Sequence, residues 1–281
     1  MNKVYDIITE KIIEKLENGC VPWRMPWKGN DRPKNLITKK AYTGINPFIL
    51  ISAGYRSPYW LSFKQAQGLG GNVRKGEKGT MVIFWKMFEP KTSSGDDKSE
   101  MVPVLRYYTV FNTDQIDGIS GKVPELENTP NFQPIDACET IVNGMPNKPE
   151  IQFREQRAYY NPNSDHVNMP IKESFEKEDY YYSVLFHELT HSTGHEKRLA
   201  RKQAFQNAFG SEKYSKEELV AEMGAAFLAG HTGIEQSTID MNASYIDSWL
   251  KALRGDSKLV VLAAAQAQKA ANYILNADAT S

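Results

Sequence analysis

Five residues near the middle of the chain, His187-Glu188-Leu189-Thr190-His191, constrain what it can fold into more than any other stretch. Positions four apart share one face of an α-helix, so the two imidazoles reach a single divalent metal only if this segment is helical. Glu188 then stands beside that face, within reach of a water at the metal. This is the H-E-x-x-H arrangement of zinc peptidases, in which two neutral imidazoles need a third ligand from elsewhere and leave one position open. The metal makes water a nucleophile near neutral pH and polarises a carbonyl, while the glutamate shuttles the proton. The competing reading is a core helix whose two histidines are merely hydrogen-bonded. The flanks favour a buried helix with a defined stop. Glu176, Glu178 and Asp179 complement the macrodipole at its start, Val184, Leu185, Phe186 and Leu189 supply apolar contact, and Gly194 marks its end.

A second helix is expected from Ser215 to Ala229, with small residues Ala221, Gly224, Ala225 and Ala226 that let it pack closely on a neighbour. Glu218 and Glu222 lie four apart on one face of it. One can complete a His-His-Glu site while the other accepts a hydrogen bond from a ligating imidazole and fixes its tautomer. Ser215-x-x-Glu218 also reads as a capping box, a structural duty compatible with a ligand at that position. The metzincin spacing would require a third histidine where Lys197 stands. His195 would align only if the helix continued through Gly194, and His166 and His231 are weaker candidates. Tyr180 to Tyr182 either include a transition-state donor or pack.

At 281 residues the chain is long enough for two modest domains. With 41% apolar residues and no run near the ~20 needed to span a bilayer, no membrane partner is expected. The N-terminus lacks a signal-peptide pattern, so a cytoplasmic location is expected. Cys20 and Cys138 form no C-x-x-C pair and read as structural thiols.

The net charge of zero conceals an asymmetry. Residues 21–91 carry 13 Lys and Arg against 3 Asp and Glu, a balance of +10, whereas residues 136–281 carry 15 against 20. A basic front half points to an anionic partner. The same basic segment holds four of the five tryptophans, Trp23, Trp27, Trp60 and Trp85, together with Tyr42, Phe48, Tyr55, Tyr59, Phe63, Phe84 and Phe88. Cations that follow phosphates and aromatic faces that stack bases are what single-stranded nucleic acid requires. Trp23, Arg24, Trp27, Lys39, Lys40, Tyr42, Trp60, Lys64, Arg74, Lys75 and Lys78 are the candidate DNA-binding residues. Against this stands the ordinary reading, aromatic core beside solvated lysines.

Along the chain, residues 2–18 have the periodicity of an amphipathic helix (Val4, Ile8, Ile12, Leu16), stopped by Gly19. Helices are expected around 47–53 and 62–67. The Gly68 to Gly79 run is not a phosphate loop, because Glu77 occupies the Walker lysine position; it reads as a basic turn. Residues 80–88 and 102–111 predict an antiparallel hairpin with a long, mobile tip over 90–99. Prolines 124, 130, 134, 146 and 149 predict a linker, although 136–145 could form a helix. Short strands are expected over 151–154, 157–160 and 166–170, one of which could pair with an extended substrate. Helices around 241–253 and 258–275 complete the chain. The resulting class is α+β with two domains: residues 1–125 as a small α+β DNA-binding domain containing the hairpin, 126–149 as linker, and 150–281 as a mainly helical domain carrying the metal motif.

These residues together resemble the ArdC family of antirestriction proteins over nearly the whole length. In front, the resemblance rests on Pro22-Trp23 with Pro26-Trp27, Tyr42-x-Gly44-Ile45-Asn46, Trp60-Leu-Ser-Phe-Lys-Gln-Ala66, the Gly71 to Gly79 turn and Val110-Phe-Asn-x-Asp-Gln115. Behind, it rests on His187 to His195, Arg198-Leu199 and Tyr214 to Glu222. The resemblance implies an N-terminal domain that binds single-stranded DNA without sequence preference and a C-terminal zincin-like metallopeptidase domain. It also implies carriage on mobile elements and protection of entering DNA from restriction. Glu218-Leu-Val-Ala-Glu222 is similar to the E-x-x-A-[DEN] segment of gluzincin-type peptidases, whose first glutamate binds metal. That similarity favours His187, His191 and Glu218 around one Zn2+, with Glu188 catalytic and Glu222 supporting an imidazole. The implied partners are single-stranded DNA and a protein substrate. The alternative is a purely protective DNA-binding protein whose metal is structural or vestigial.

Overall fold

The computed structural model describes residues 3–18, 20–24, 32–88, 101–124, 134–201, 212–234 and 243–277. Helix α1 (Lys3–Glu17) buries the expected stripe of Val4, Ile8, Ile12 and Leu16, with Tyr5 beside it. That stripe packs against α7 (Ala243–Gly255) and α8 (Leu259–Ile274) at the far end of the chain. Thr9 Oγ1 donates to the Ser257 carbonyl at 2.6 Å and fixes the crossing.

The front sheet has the strand order β1-β2-β5-β4, comprising β1 (Lys34–Asn35), β2 (Tyr59–Ser62), β4 (Thr80–Phe88) and β5 (Val102–Asn112). β1 and β2 are parallel and the other pairs antiparallel. β4 and β5 form the expected hairpin, with Val82 opposite Tyr108 and Phe84 opposite Arg106; its tip, 90–99, lies outside the described residues. α2 (Asn46–Ile51) covers the sheet, and the Asn46 amide both donates to the Ile83 carbonyl and accepts from the Ile83 N–H, each at 2.8 Å. An outer-edge backbone position of β4 is thereby satisfied by a side chain. α3 (Phe63–Gly68) starts at Ser62, whose hydroxyl and Gln65 form a capping box. The glycine-rich turn leads through β3 (Asn72–Val73), paired with β6 (Ile116–Asp117). A Cβ at Gly71 would come within 2.6 Å of Ile119, so that glycine permits packing.

The stretch expected as linker carries α4 (Pro134–Gly144), which packs on the helices that follow. The prolines that suggested a linker flank the helix, and Pro134 starts it, where a missing N–H costs nothing. A three-stranded sheet follows in the order β7-β9-β8, made of β7 (Glu150–Gln152), β8 (Tyr159–Asn161) and β9 (His166–Asn168). β8 and β9 are antiparallel around the predicted turn, while β7 joins β9 in parallel. α5 (Glu178–Ser192), α6 (Glu212–Thr232) and α8 pack on one another, the alanine-rich α8 burying Ala263, Ala264, Ala267 and Ala271 completely. The α5–α6 approach depends on Gly224, since a Cβ there would lie 2.5 Å from Thr190 Cγ2.

The front half has two small apolar clusters, one around Leu61, Ile116 and Ile119 and one around Trp60, Val82 and Val110. The largest cluster crosses the halves, running from α1, Trp23, Phe48 and Ile83 into α5, α6, α7 and α8. Trp23 meets Trp249 edge-on at 5.3 Å, and Phe48 lies 4.8 Å from Phe227. Among the described residues, no helix is long and apolar enough to cross a membrane. Burial holds the Cys138 thiol up at about 11, in keeping with a structural role. Trp23→Ala is expected to destabilise the fold by about 3–5 kcal/mol. Because Trp23 joins both halves, denaturant unfolding of the variant should remain a single transition with a lowered midpoint; two separated transitions would refute a shared core.

Candidate metal centre

α5 begins after Lys177 with Glu178 and Asp179 in its first turn and ends at Ser192, where the Thr193 N–H reaches the Leu189 carbonyl. Helical geometry thus holds through both histidines and stops before His195. His187 and His191 stand one turn apart with ring centroids 4.8 Å apart and their Nε2 atoms 3.1 Å apart. Two imidazole nitrogens facing each other this closely need something to share between them.

α6 supplies it. Glu218 lies 3.6 Å from His187 Nε2 through one carboxylate oxygen and 3.4 Å from His191 Nε2 through the other. Among the described residues, His187, His191 and Glu218 form a group whose ligand atoms all lie within 4.8 Å of one another. The two Nε2 atoms at 3.1 Å, and a Glu218 oxygen within 3.4–3.6 Å of each, Oε2 toward His187 and Oε1 toward His191, are near the ~3.4 Å ligand separations of a tetrahedral metal held at about 2.1 Å. The donor set therefore fits a divalent metal. Glu222 lies 3.8 Å from His187 Nδ1, on the side of the ring away from Glu218.

One neighbour was not anticipated. Glu217 lies 3.5 Å from His191 Nδ1 and is itself gripped by Arg201, at 2.5 Å through Nη2 and 3.3 Å through Nε. The capping pattern at Ser215 points to a later helix start. α6 starts three residues earlier, at Glu212, so Ser215 is inside the helix; consecutive glutamates 217 and 218 meet the two nitrogens of the His191 ring, Nδ1 and Nε2.

Glu188 is buried, and its charge is felt at both imidazoles. Burial alone would lower the pKa of His191, but the carboxylates of Glu218, Glu217 and Glu188 outweigh it and raise that pKa well above 6.5. His187 is raised too, against its own burial, by Glu218 and Glu188. Glu218 is held far below the usual carboxylate range by the same two rings, despite the opposing effect of burial.

The other histidines are engaged elsewhere. His195 Nδ1 accepts from the Lys197 N–H and faces Asp165 at 3.8 Å, and His166 Nδ1 is 2.8 Å from Ser164 Oγ. Asp165 also binds Arg198, which ties the end of α5 to the β8–β9 turn through the Ser192 carbonyl. Tyr182 donates to Glu139 and accepts from Lys172, so its hydroxyl is spent away from the histidines.

The front half requires a correction. Trp23, Trp60 and Tyr42, expected to offer stacking faces, are buried, Trp23 against Trp249 and the other two in the cluster beneath the sheet. Each fills a gap between elements distant in sequence, which a local pattern of tryptophans and lysines does not reveal. Trp27 and the side chain of Arg24 lie outside the described residues. Lys39, Lys40, Lys64, Arg74, Lys75 and Lys78 are exposed, although Lys39 covers Tyr59 and Arg74 pairs with Glu77. Exposed aromatics occur instead on the outer part of the hairpin: Phe84, Trp85, Phe88, Tyr107 and Tyr108. Phe84 meets Tyr108 at 5.7 Å on one face, with exposed Arg106 and Lys86 beside them. The available signal was strand length, since nine and eleven residues outrun the four of β2.

Two family models match the chain, a zincin-like metallopeptidase over residues 137–266 and the N-terminal domain of anti-restriction factor ArdC over residues 2–111. Two Escherichia coli proteins called DNA primase TraC are each 36% identical over 96% of this chain, which spans only 27% and 20% of their lengths. A Sinorhizobium fredii protein, y4eC, is 34% identical, with 96% of this chain and 91% of that protein aligned. The metal-free crystal structure of the antirestriction ArdC protein from the R388 plasmid superposes with a TM-score of 0.79 at 38% identity, covering 96% of both chains. The Mn(II)-bound structure gives 0.78 at 37% identity over 98% of this chain and 99% of that one.

The raised imidazole pKa values have a measurable consequence. A histidine raised in the folded state stabilises fully below about 6.5 and ceases to do so as pH rises through its folded value. Metal ligation needs the same rings neutral. Stability of the metal-free protein should therefore decline above pH 6.5, while the increment in Tm on adding a divalent metal should grow over the same range. A metal increment independent of pH would contradict this assignment of the charges.

Proposed function

The chain belongs to the ArdC antirestriction family, and from that premise we propose that it is a metal-dependent peptidase guided to single-stranded DNA, protecting a mobile element entering a restricting host. In this reading residues 1–125 engage DNA, and the half from α4 onward holds one Zn2+ and cleaves or engages a DNA-associated protein in the cytoplasm. The observation that carries it is the convergence of His187, His191 and Glu218, whose ligand atoms all lie within 4.8 Å of one another.

The residues divide the work as follows. His187, His191 and Glu218 would hold the metal, and Glu222 keeps the His187 ring turned toward it. The metal, when bound, supplies Lewis acidity toward water and a peptide carbonyl. Glu188, buried beside both rings, takes the proton from the attacking water and returns it to the leaving amine. Its low exposure keeps that proton from bulk solvent.

The outer hairpin is the DNA surface that the geometry favours. Phe84 and Tyr108 expose rings 5.7 Å apart on which bases of an extended strand would stack, and exposed Arg106 and Lys86 on the same face would meet its phosphates. This surface also supports a second reading, in which shielding DNA is the whole activity and the metal is structural.

Glu188→Gln separates the two. In the folded, metal-loaded variant, loss of the general base is expected to slow hydrolysis by about 10²–10⁴-fold and to abolish protection of unmodified plasmid in conjugation. Full protection by that variant would leave shielding as the function. For the DNA surface, replacing both Phe84 and Tyr108 by Ala in the full chain should weaken oligodeoxynucleotide binding by about 1–3 kcal/mol per lost stack. Fluorescence anisotropy at fixed ionic strength measures this, and unaltered affinity would exclude the hairpin.

A further inference from the structure

We infer that Arg201 and Glu217 act as a unit that positions His191 for metal binding, an inference that rests on the metal-site reading above. Glu217 is among the few charged residues buried in the described structure, and its side chain and that of Arg201 are equally enclosed. One carboxylate oxygen lies 3.5 Å from His191 Nδ1. A proton held on Nδ1 by that oxygen leaves the Nε2 lone pair facing His187 and Glu218, the orientation a ligand requires.

Arg201 determines where Glu217 can be. Its guanidinium meets both carboxylate oxygens, with Nη2 2.5 Å from Oε1 and Nε 3.3 Å from Oε2. The same group donates to the Thr190 carbonyl at 3.0 Å and to Thr193 Oγ1 at 2.5 Å. Thr190 adjoins His191 in sequence. The fork thus anchors Glu217 of α6 to the very turn of α5 that carries the ring it must orient. It also supplies a full positive charge beside a cluster of four carboxylates, Glu188, Glu217, Glu218 and Glu222, which would otherwise repel one another. A lysine could carry the charge but could not span two oxygens, a carbonyl and a hydroxyl in one plane.

The two imidazoles are consequently held by different means. His187 has Glu222 at 3.8 Å, four residues after Glu218 on the same face. His191 has Glu217 with an arginine behind it, and that longer chain of contacts makes it the more strictly oriented ligand.

The test is Zn2+ affinity of the full-length protein by competition with a chromophoric chelator, with the visible spectrum of the Co2+-loaded form as a second readout. Glu217→Gln keeps the shape and an acceptor, and Arg201→Lys keeps the charge without the fork. Both are expected to bind Zn2+ about 10–100-fold more weakly and to alter the Co2+ spectrum, with wild-type folding by circular dichroism. An ion pair that merely ties α5 to α6 would instead lower the Tm of the metal-free protein and leave affinity and spectrum untouched; that result overturns the inference. Stoichiometric Zn2+ binding by the wild type, lost in His187→Ala, checks the metal site itself, so its failure is distinguished from failure of the positioning role. Should one variant not fold, the other decides.

Discussion

The approach of α5 to α6 governs the rest of the site. Thr190 occupies the space that a side chain at Gly224 would need, so the two helices come close enough for carboxylates on one to meet imidazoles on the other. A methyl group at position 224 would have to displace Thr190, which itself bonds back to the Phe186 carbonyl and carries the carbonyl that Arg201 grips. Overpacking of this kind typically costs about 1–3 kcal/mol. Here a shift of a few tenths of an ångström would also spread His187, His191 and Glu218, whose separations suit a small cation.

How much of this was legible in the sequence depended on whether the signal was local. The motif helix, its acidic start and its stop are consequences of neighbouring residues, and α5 follows them closely. Glu218 was within reach because helical spacing presents it with Glu222. Glu217 was not, since it stands about 100° round the helix from Glu218, off the stripe shared with Glu222, and reaches α5 through the other nitrogen of His191. Arg201 precedes the helix by more than two turns' length of chain, and nothing in its surroundings marks it as a partner of Glu217.

The aromatic residues illustrate the opposite limit. Trp23 lies in a proline-rich, basic passage that reads as a surface for nucleic acid, yet its ring is enclosed by Trp249, more than two hundred positions later. Phe84 and Tyr108 had the same local character as the buried residues around them. Their exposure follows from β4 and β5 extending past the shorter β2 and past the helices that cover the inner sheet. Burial is a property of the assembled molecule, and composition alone ranks such residues poorly.

The apolar cluster that runs from α1 into α7 and α8 bears on how such a protein can be inherited. Separating the halves near residue 125 would bare Ile8, Ile12 and Trp23 on one piece and Trp249 and Val260 on the other, surfaces that water does not tolerate. Recombination that shuffles coding segments would therefore be expected to move the pair as one cassette. The alignment with the much longer TraC primases, which embraces 96% of this chain and about a quarter or less of theirs, has that form: an intact two-part block joined to other material.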